Sequence, residues 1–89
     1  MENSLESEFQ AAAQAVKAVR KQPSSADLLT LYGLFKQAEK GSNTTPKPGF
    51  LQVEAKAKWE AWMAHRGLSR ADAKREYVRF ARTFVERYS

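Results

Sequence analysis

The sequence predicts an all-α domain built from four helices. Three observations carry this. Apolar residues recur at helical spacing in four separate stretches. No stretch alternates apolar and polar residues as a half-buried strand does. A proline or glycine closes each of the first three stretches, at Pro23, Gly41 and Gly67. The 89 residues make one domain, 1–89, with a small core and modest stability.

The first helix is expected over about Leu5 to Lys21. Asn3 with Glu6 gives a capping pair. Leu5, Phe9, Ala12, Val16 and Val19 recur along one face, with Ala13 beside it and Lys17 one turn further. Alanines at 11, 12, 13, 15 and 18 favour helix and permit close approach by neighbours. Gln22-Pro23 ends the segment, because a residue before proline avoids helical angles.

The second helix opens at Ser24 or Ser25, with Asp27 in its first turn at the positive end of the helix dipole. On a helical projection Leu28, Leu29, Leu31, Tyr32, Leu34, Phe35 and Ala38 cover an arc of about 220°. Thr30, Gly33 and Gln37 hold the polar remainder. One packing stripe needs a little over 100° (roughly), so this helix carries apolar surface beyond one core contact. Lys36 stands one turn after Tyr32 on the same side. An apolar strip bordered by a tyrosine and a lysine suits an amphiphile with an anionic head; the competing reading is a lysine that only snorkels to water. Gly41 is the C-terminal stop.

A connection with two prolines and a glycine follows, SNTTPKPGF, long for so small a domain and long enough to let the next helix run parallel to the second. The third helix is expected over about Val53 to Arg66, stopped by Gly67. Its stripe is Ala55, Trp59, Trp62 and Met63, flanked by Lys56 and Lys58. Trp59, central on the stripe, reads as core, while Trp62 reads equally as core or as a stacking platform. The fourth helix begins with the capping pair Ser69 and Asp72. Ala73, Tyr77, Phe80, Ala81, Phe84 and Tyr88 form its apolar face. Tyr77 in the middle of that face is a core residue whose hydroxyl needs a partner.

Composition narrows the function. There is no cysteine, which removes disulfides and thiolate metal sites and fits a reducing compartment. The single His65 builds no metal site alone and reads as a solvated surface residue. No nucleophile–base pairing and no phosphate-cradling glycine loop is visible, so no catalytic residues are assigned. The N-terminus MENSLESEFQ is acidic and polar, unlike a signal peptide, and no apolar run approaches a membrane span. The net charge of +5 is uneven: residues 1–55 carry six Lys/Arg and six Asp/Glu, whereas residues 56–89 carry nine and four. The excess implies an anionic partner, or simply a soluble basic surface.

Two linked motifs then match a known family. YGLFKQA (Tyr32–Ala38), Gly41, PGF (Pro48–Phe50) and KAKWEAW (Lys56–Trp62) resemble the acyl-CoA-binding proteins, and the match runs from Phe9 past Tyr77 without an evident gap. The resemblance implies a four-helix bundle of up-down-down-up topology that binds one long-chain fatty acyl-CoA ester without catalysis, cofactor or metal. By the same resemblance Tyr32, Lys36 and Lys58 match residues for the 3′-phosphate and adenine end of CoA, and Tyr77 matches a binding tyrosine. Lys17 matches a lysine near the CoA phosphates. Leu28 and Leu29 match residues beside the acyl chain. Phe35 stands where the family often has Tyr, keeping the ring and losing the hydroxyl. Glu54 replaces a lysine that often contacts the ligand, and Pro46 is an unusual loop residue; both bear on affinity. The expected protein is a cytoplasmic monomer with no nucleic-acid partner, that delivers esters to acyl-CoA-using enzymes and touches membranes at most transiently.

Other classes remain on the sequence alone. A small basic helical nucleic-acid-binding module is the runner-up, motivated by the basic C-terminal third and the aromatics. A protein-interaction bundle is third, and an acyl-CoA enzyme is last.

Overall fold

The computed structural model describes residues 4–89. They form four helices, α1 (Leu5–Lys17), α2 (Ser25–Lys40), α3 (Val53–Met63) and α4 (Arg70–Tyr88), in up-down-down-up order. Three helices start as their sequences dictate. The hydroxyls of Ser4, Ser24 and Ser69 accept from the backbone N–H of Ser7, Asp27 and Asp72. Each such cap is worth about 1 kcal/mol. The cap of α1 is thus Ser4; the expected partner Asn3 lies outside the described residues. Gly41 and Gly67 both adopt positive φ, 81° and 92°, which reverses the chain after α2 and before α4.

The core lies where α1 and α2 pack on α4. Phe9 and Ala13 of α1, Leu31, Leu34 and Ala38 of α2, and Ala73, Tyr77, Ala81 and Phe84 of α4 are its buried members. The four small alanines allow helix backbones to approach, and the rings of Phe9, Phe35, Tyr77 and Phe84 fill the space between them. Val16, Val19 and Phe80 lie against this core, half-buried.

The third helix ends at Met63, short of the expected Arg66, and three further expectations fail for a tertiary reason. The first helix ends at Lys17, not Lys21. Past Ala18 the backbone N–H groups of Arg20 and Lys21 both donate to the Tyr88 carbonyl, at 3.0 and 2.9 Å. That carbonyl is one of the unpaired acceptors at the end of α4, and it draws the chain out of helix. Second, α3 stands outside the core. It packs on α2 alone among the helices, has no buried residue, and leaves Ala55 exposed. Trp59 is therefore half-buried rather than core: its indole N–H donates to the Thr45 carbonyl at 2.9 Å. Third, the polar side of α2 is not a solvent face. Gly33 and Gln37 are buried there. Gln37 donates to the Leu68 carbonyl at 2.7 Å and to the Ser42 hydroxyl at 3.2 Å. The missing side chain of Gly33 lets the Ala61 backbone of α3 lie against α2.

The long connection is stitched down rather than loose. The buried Asn43 side chain accepts from the Thr45 N–H and hydroxyl and donates to the Trp59 carbonyl. Trp62 donates to the Gly41 carbonyl at 2.8 Å, and the Gly67 N–H donates to Ser42. These bonds tie the C-terminal half of α3 and the segment after it to the loop that precedes the helix.

The ends of α2 and α4 are joined by a polar knot with a pH consequence. Asp27 accepts from the Tyr88 hydroxyl and the Arg87 guanidinium, each at 2.6 Å. Those bonds, Tyr88 first, hold the Asp27 carboxyl below the usual aspartate range. Glu6 is held low as well, chiefly by Lys74 at 2.6 Å. A carboxyl with a depressed folded pKa adds stability that is complete above its unfolded value, near about 4, and is lost as pH falls through the folded value. Burial lowers the His65 pKa, so protonation of the unfolded chain begins to cost stability from about pH 6.5 downward. Thermal melts should therefore be level at neutral pH, fall gently below about 6.5, and fall again below about 4. Asp27→Asn should flatten the lower limb, and an unchanged lower limb would count against the knot.

Candidate functional site

The spare apolar arc of α2 is left uncovered because α1 and α2 diverge. Gln10, Ala13, Gln14, Val16 and Lys17 of α1 face Leu28, Leu31, Tyr32 and Phe35 of α2 across a groove of about 300 Å³. Tyr77 of α4 and Phe35 line it, and the buried Phe9 packs against both rings. Phe9 and Phe35 stack with centroids 5.4 Å apart, and Tyr77 meets Phe9 edge-on at 5.1 Å. Rings locked together in this way give a rigid, dry floor. Burial pushes the Tyr77 hydroxyl pKa up, so it stays a protonated donor. Among the described residues that hydroxyl has no hydrogen-bond partner.

Tyr32 stands at the other end of the groove and also lines a second hollow of about 230 Å³, with Thr45, Pro46, Pro48, Ala55, Lys58, Trp59 and Trp62. Two ammonium groups lie beside it on rings. The Lys58 ammonium is 5.6 Å from the Tyr32 ring centroid, and that of Lys36 is 4.9 Å from the Trp62 ring. Each ring holds its cation by its negative face. The Trp62 ring is itself fixed by its bond to the Gly41 carbonyl. Each lysine thus sits on a ring that lines the same hollow, Lys58 on Tyr32 and Lys36 on Trp62.

Of the sequence-derived candidates, Lys17, Leu28, Tyr32, Phe35 and Tyr77 share the groove, and Lys58 shares the adjoining hollow with Tyr32. Lys36 reaches the same place through Trp62. Leu29 is half-buried and lines neither space. Sequence reasoning left out Gln10, Ala13, Gln14, Val16 and Leu31 as groove residues. Gln10, Gln14 and Lys17 are spaced i, i+4 and i+7 on α1, so the polar edge of the groove was readable as one row.

A larger hollow of about 480 Å³ lies between α1 and α4, lined by Ala11, Ala12, Ala15, Val78, Ala81 and Val85. Its rim has Glu8 and Glu86 against Arg82. Two carboxylates against one guanidinium disfavour an anionic head there, so the smaller groove is the better candidate despite its size.

Four helices, an apolar groove and two ring-seated lysines near it define a small all-α domain with a trough suited to an amphiphilic ligand. The sequence matches the acyl CoA binding protein family over residues 6–81. It is similar to an acyl-CoA-binding protein homolog of Drosophila melanogaster, 48% identical over 82 residues, covering 92% of this chain and 95% of the relative. It is also similar to an acyl-CoA-binding protein of Dictyostelium discoideum, 46% identical over 81 residues, covering 91% and 96%. The fold superposes on the crystal structure of acyl-CoA-binding protein 2 from Oryza sativa with a TM-score of 0.89 at 36% identity, covering 94% of this chain and 93% of that one. The chain belongs to the acyl CoA binding protein family. This is a family of binding proteins, and it displaces the nucleic-acid alternative.

Proposed function

We infer that this domain, residues 1–89, binds one long-chain fatty acyl-CoA ester without catalysis and carries it in the cytoplasm as a monomer. The observation that supports the reading is the continuity at Tyr32, which borders both the apolar groove and the hollow beside the lysines. The acyl chain takes the groove along Leu28, Leu31 and Phe35. Lys36 and Lys58 take the phosphorylated nucleotide end beside Tyr32, while Lys17 and the Tyr77 hydroxyl offer donors along the groove. No cofactor or metal is required.

Magnitudes say how selectivity arises. Sheltering about 12 methylenes gives on the order of 10 kcal/mol gross. Charge-assisted hydrogen bonds to phosphate add about 1.5–3 kcal/mol each. Ordering costs reduce both. The tail is the larger contribution, and the head decides which amphiphile is accepted. A free fatty acid lacks the phosphates and free CoA lacks the tail, so each binds far more weakly. The consequence is a carrier that withdraws a detergent-like ester from water and hands it to acyl-CoA-using enzymes.

Isothermal calorimetry across acyl-CoA esters tests this. Affinity should rise with chain length until the groove is full. Equal affinity for acetyl-CoA and palmitoyl-CoA would remove the groove from the reading. Binding should also outlast a rise in salt better than a purely electrostatic complex does, because the tail is insensitive to screening.

A further inference from the structure

The connection before α3 ends in a tight turn with an unusual tip. The Gln52 N–H donates to the Gly49 carbonyl at 3.0 Å, which places Phe50 and Leu51 at the two corner positions. Corners of this kind ordinarily hold Pro, Asn, Asp or Gly. Here two large apolar side chains stand 79% and 81% exposed, and Val53 at the start of α3 is 73% exposed. None of the three joins the core, although the same chain buries Phe9 and Phe84 completely.

The surroundings of the tip are basic. Between Asn43 and Trp59 the chain carries Lys47, Lys56 and Lys58 against the single carboxylate Glu54. Lys47 reaches Glu60 at 3.7 Å yet stays half exposed. On either side of the turn in sequence, Pro46, Pro48, Ala55 and Lys58 line the hollow next to Tyr32. The apolar tip therefore flanks the lysine end of the groove.

We propose that Phe50, Leu51 and Val53 form a shallow insertion tip that seats the protein on a bilayer carrying anionic lipid. Apolar side chains at a turn tip gain by leaving water for the headgroup–acyl boundary, and lysines beside them are drawn to negative headgroups. A tip of three side chains gives reversible contact rather than anchoring. The contact brings the groove to the surface into which acyl-CoA partitions; only this purpose, not the contact itself, rests on the proposed function.

Co-sedimentation of the full chain with vesicles tests the proposal. One set is phosphatidylcholine, and the other is phosphatidylcholine with phosphatidylserine. The unmodified chain should partition to the anionic set, and Phe50→Ser/Leu51→Ser should partition about tenfold less. Both positions are exposed turn residues, so circular dichroism should be unchanged. Palmitoyl-CoA calorimetry in solution should also be unchanged for the double variant. Equal partition of variant and parent would place any contact elsewhere, for example on the Arg82 side of α4, and would overturn the proposal. So would absence of partition to either set. Self-association of the parent, abolished in the variant, would assign the tip to a second copy instead and likewise overturn it. Vesicle binding with no palmitoyl-CoA binding would leave the tip standing and remove the proposed function.

Discussion

Gly33→Ala should destabilise the domain by about 2–3 kcal/mol, as overpacking of a closed contact does. A Cβ built on Gly33 falls 2.2 Å from the Ala61 carbonyl oxygen and 2.7 Å from its carbon. Both are backbone atoms, so no side chain can swing aside, and α3 must shift as a unit. The His65 ring, 3.2 Å away, adds a lesser clash. Alanine is otherwise the better helix former by about 1 kcal/mol, so its intrinsic effect would be stabilising. The sign of the change thus separates the two effects. In a domain of this size the loss corresponds to a fall in melting temperature of about 10 °C or more. Ligand affinity should fall with it, because α3 carries Lys58 and Trp62. A melting temperature equal to or above that of the parent would show that α3 does not lie against α2 as described.

Lys36→Ala should weaken palmitoyl-CoA binding by about tenfold, or ~1.4 kcal/mol, with helicity intact. The side chain is half-buried over the Trp62 ring and makes no ion pair among the described residues, so its charge is free for an anionic ligand. Alanine preserves the helix. Calorimetry and far-ultraviolet circular dichroism on the same sample separate the two readouts. Unchanged affinity would exclude Lys36 from the site and leave its role as a lysine resting on an indole. A loss confined to low salt would make it a steering charge rather than a contact.

Much of the site was legible because its parts are local. Tyr32 and Lys36 lie one turn apart on one helix, and KAKWEAW places Lys58 and Trp62 one turn apart on another. The excess apolar arc of α2 announced an uncovered surface, and that surface is one wall of the groove. Leu29 shows the limit of this reasoning. It belongs to the same arc as Leu28, yet one step around the helix turns it away from the groove. Trp59 shows another. Its place in the middle of a stripe suggested burial, but burial requires a second layer, and α3 has only α2 beside it.

The sequence by itself determined four helices, the serine caps of α2 and α4, the glycine reversals and the core stripe of α4. These follow from hydrogen-bond satisfaction at helix ends and from the 3.6-residue repeat (about), both of which act over a few neighbours. Only the tertiary structure decided where α1 stops, why Gly33 and Gln37 face inward, and that α3 stays outside the core. The first two depend on carbonyls brought from far along the chain, Tyr88 for α1, Leu68 for Gln37 and Ala61 for Gly33, and the third on α3 packing against α2 alone. A helical pattern records which face is apolar or small, but the partner that meets the face is set by packing between segments, and no local spacing encodes it.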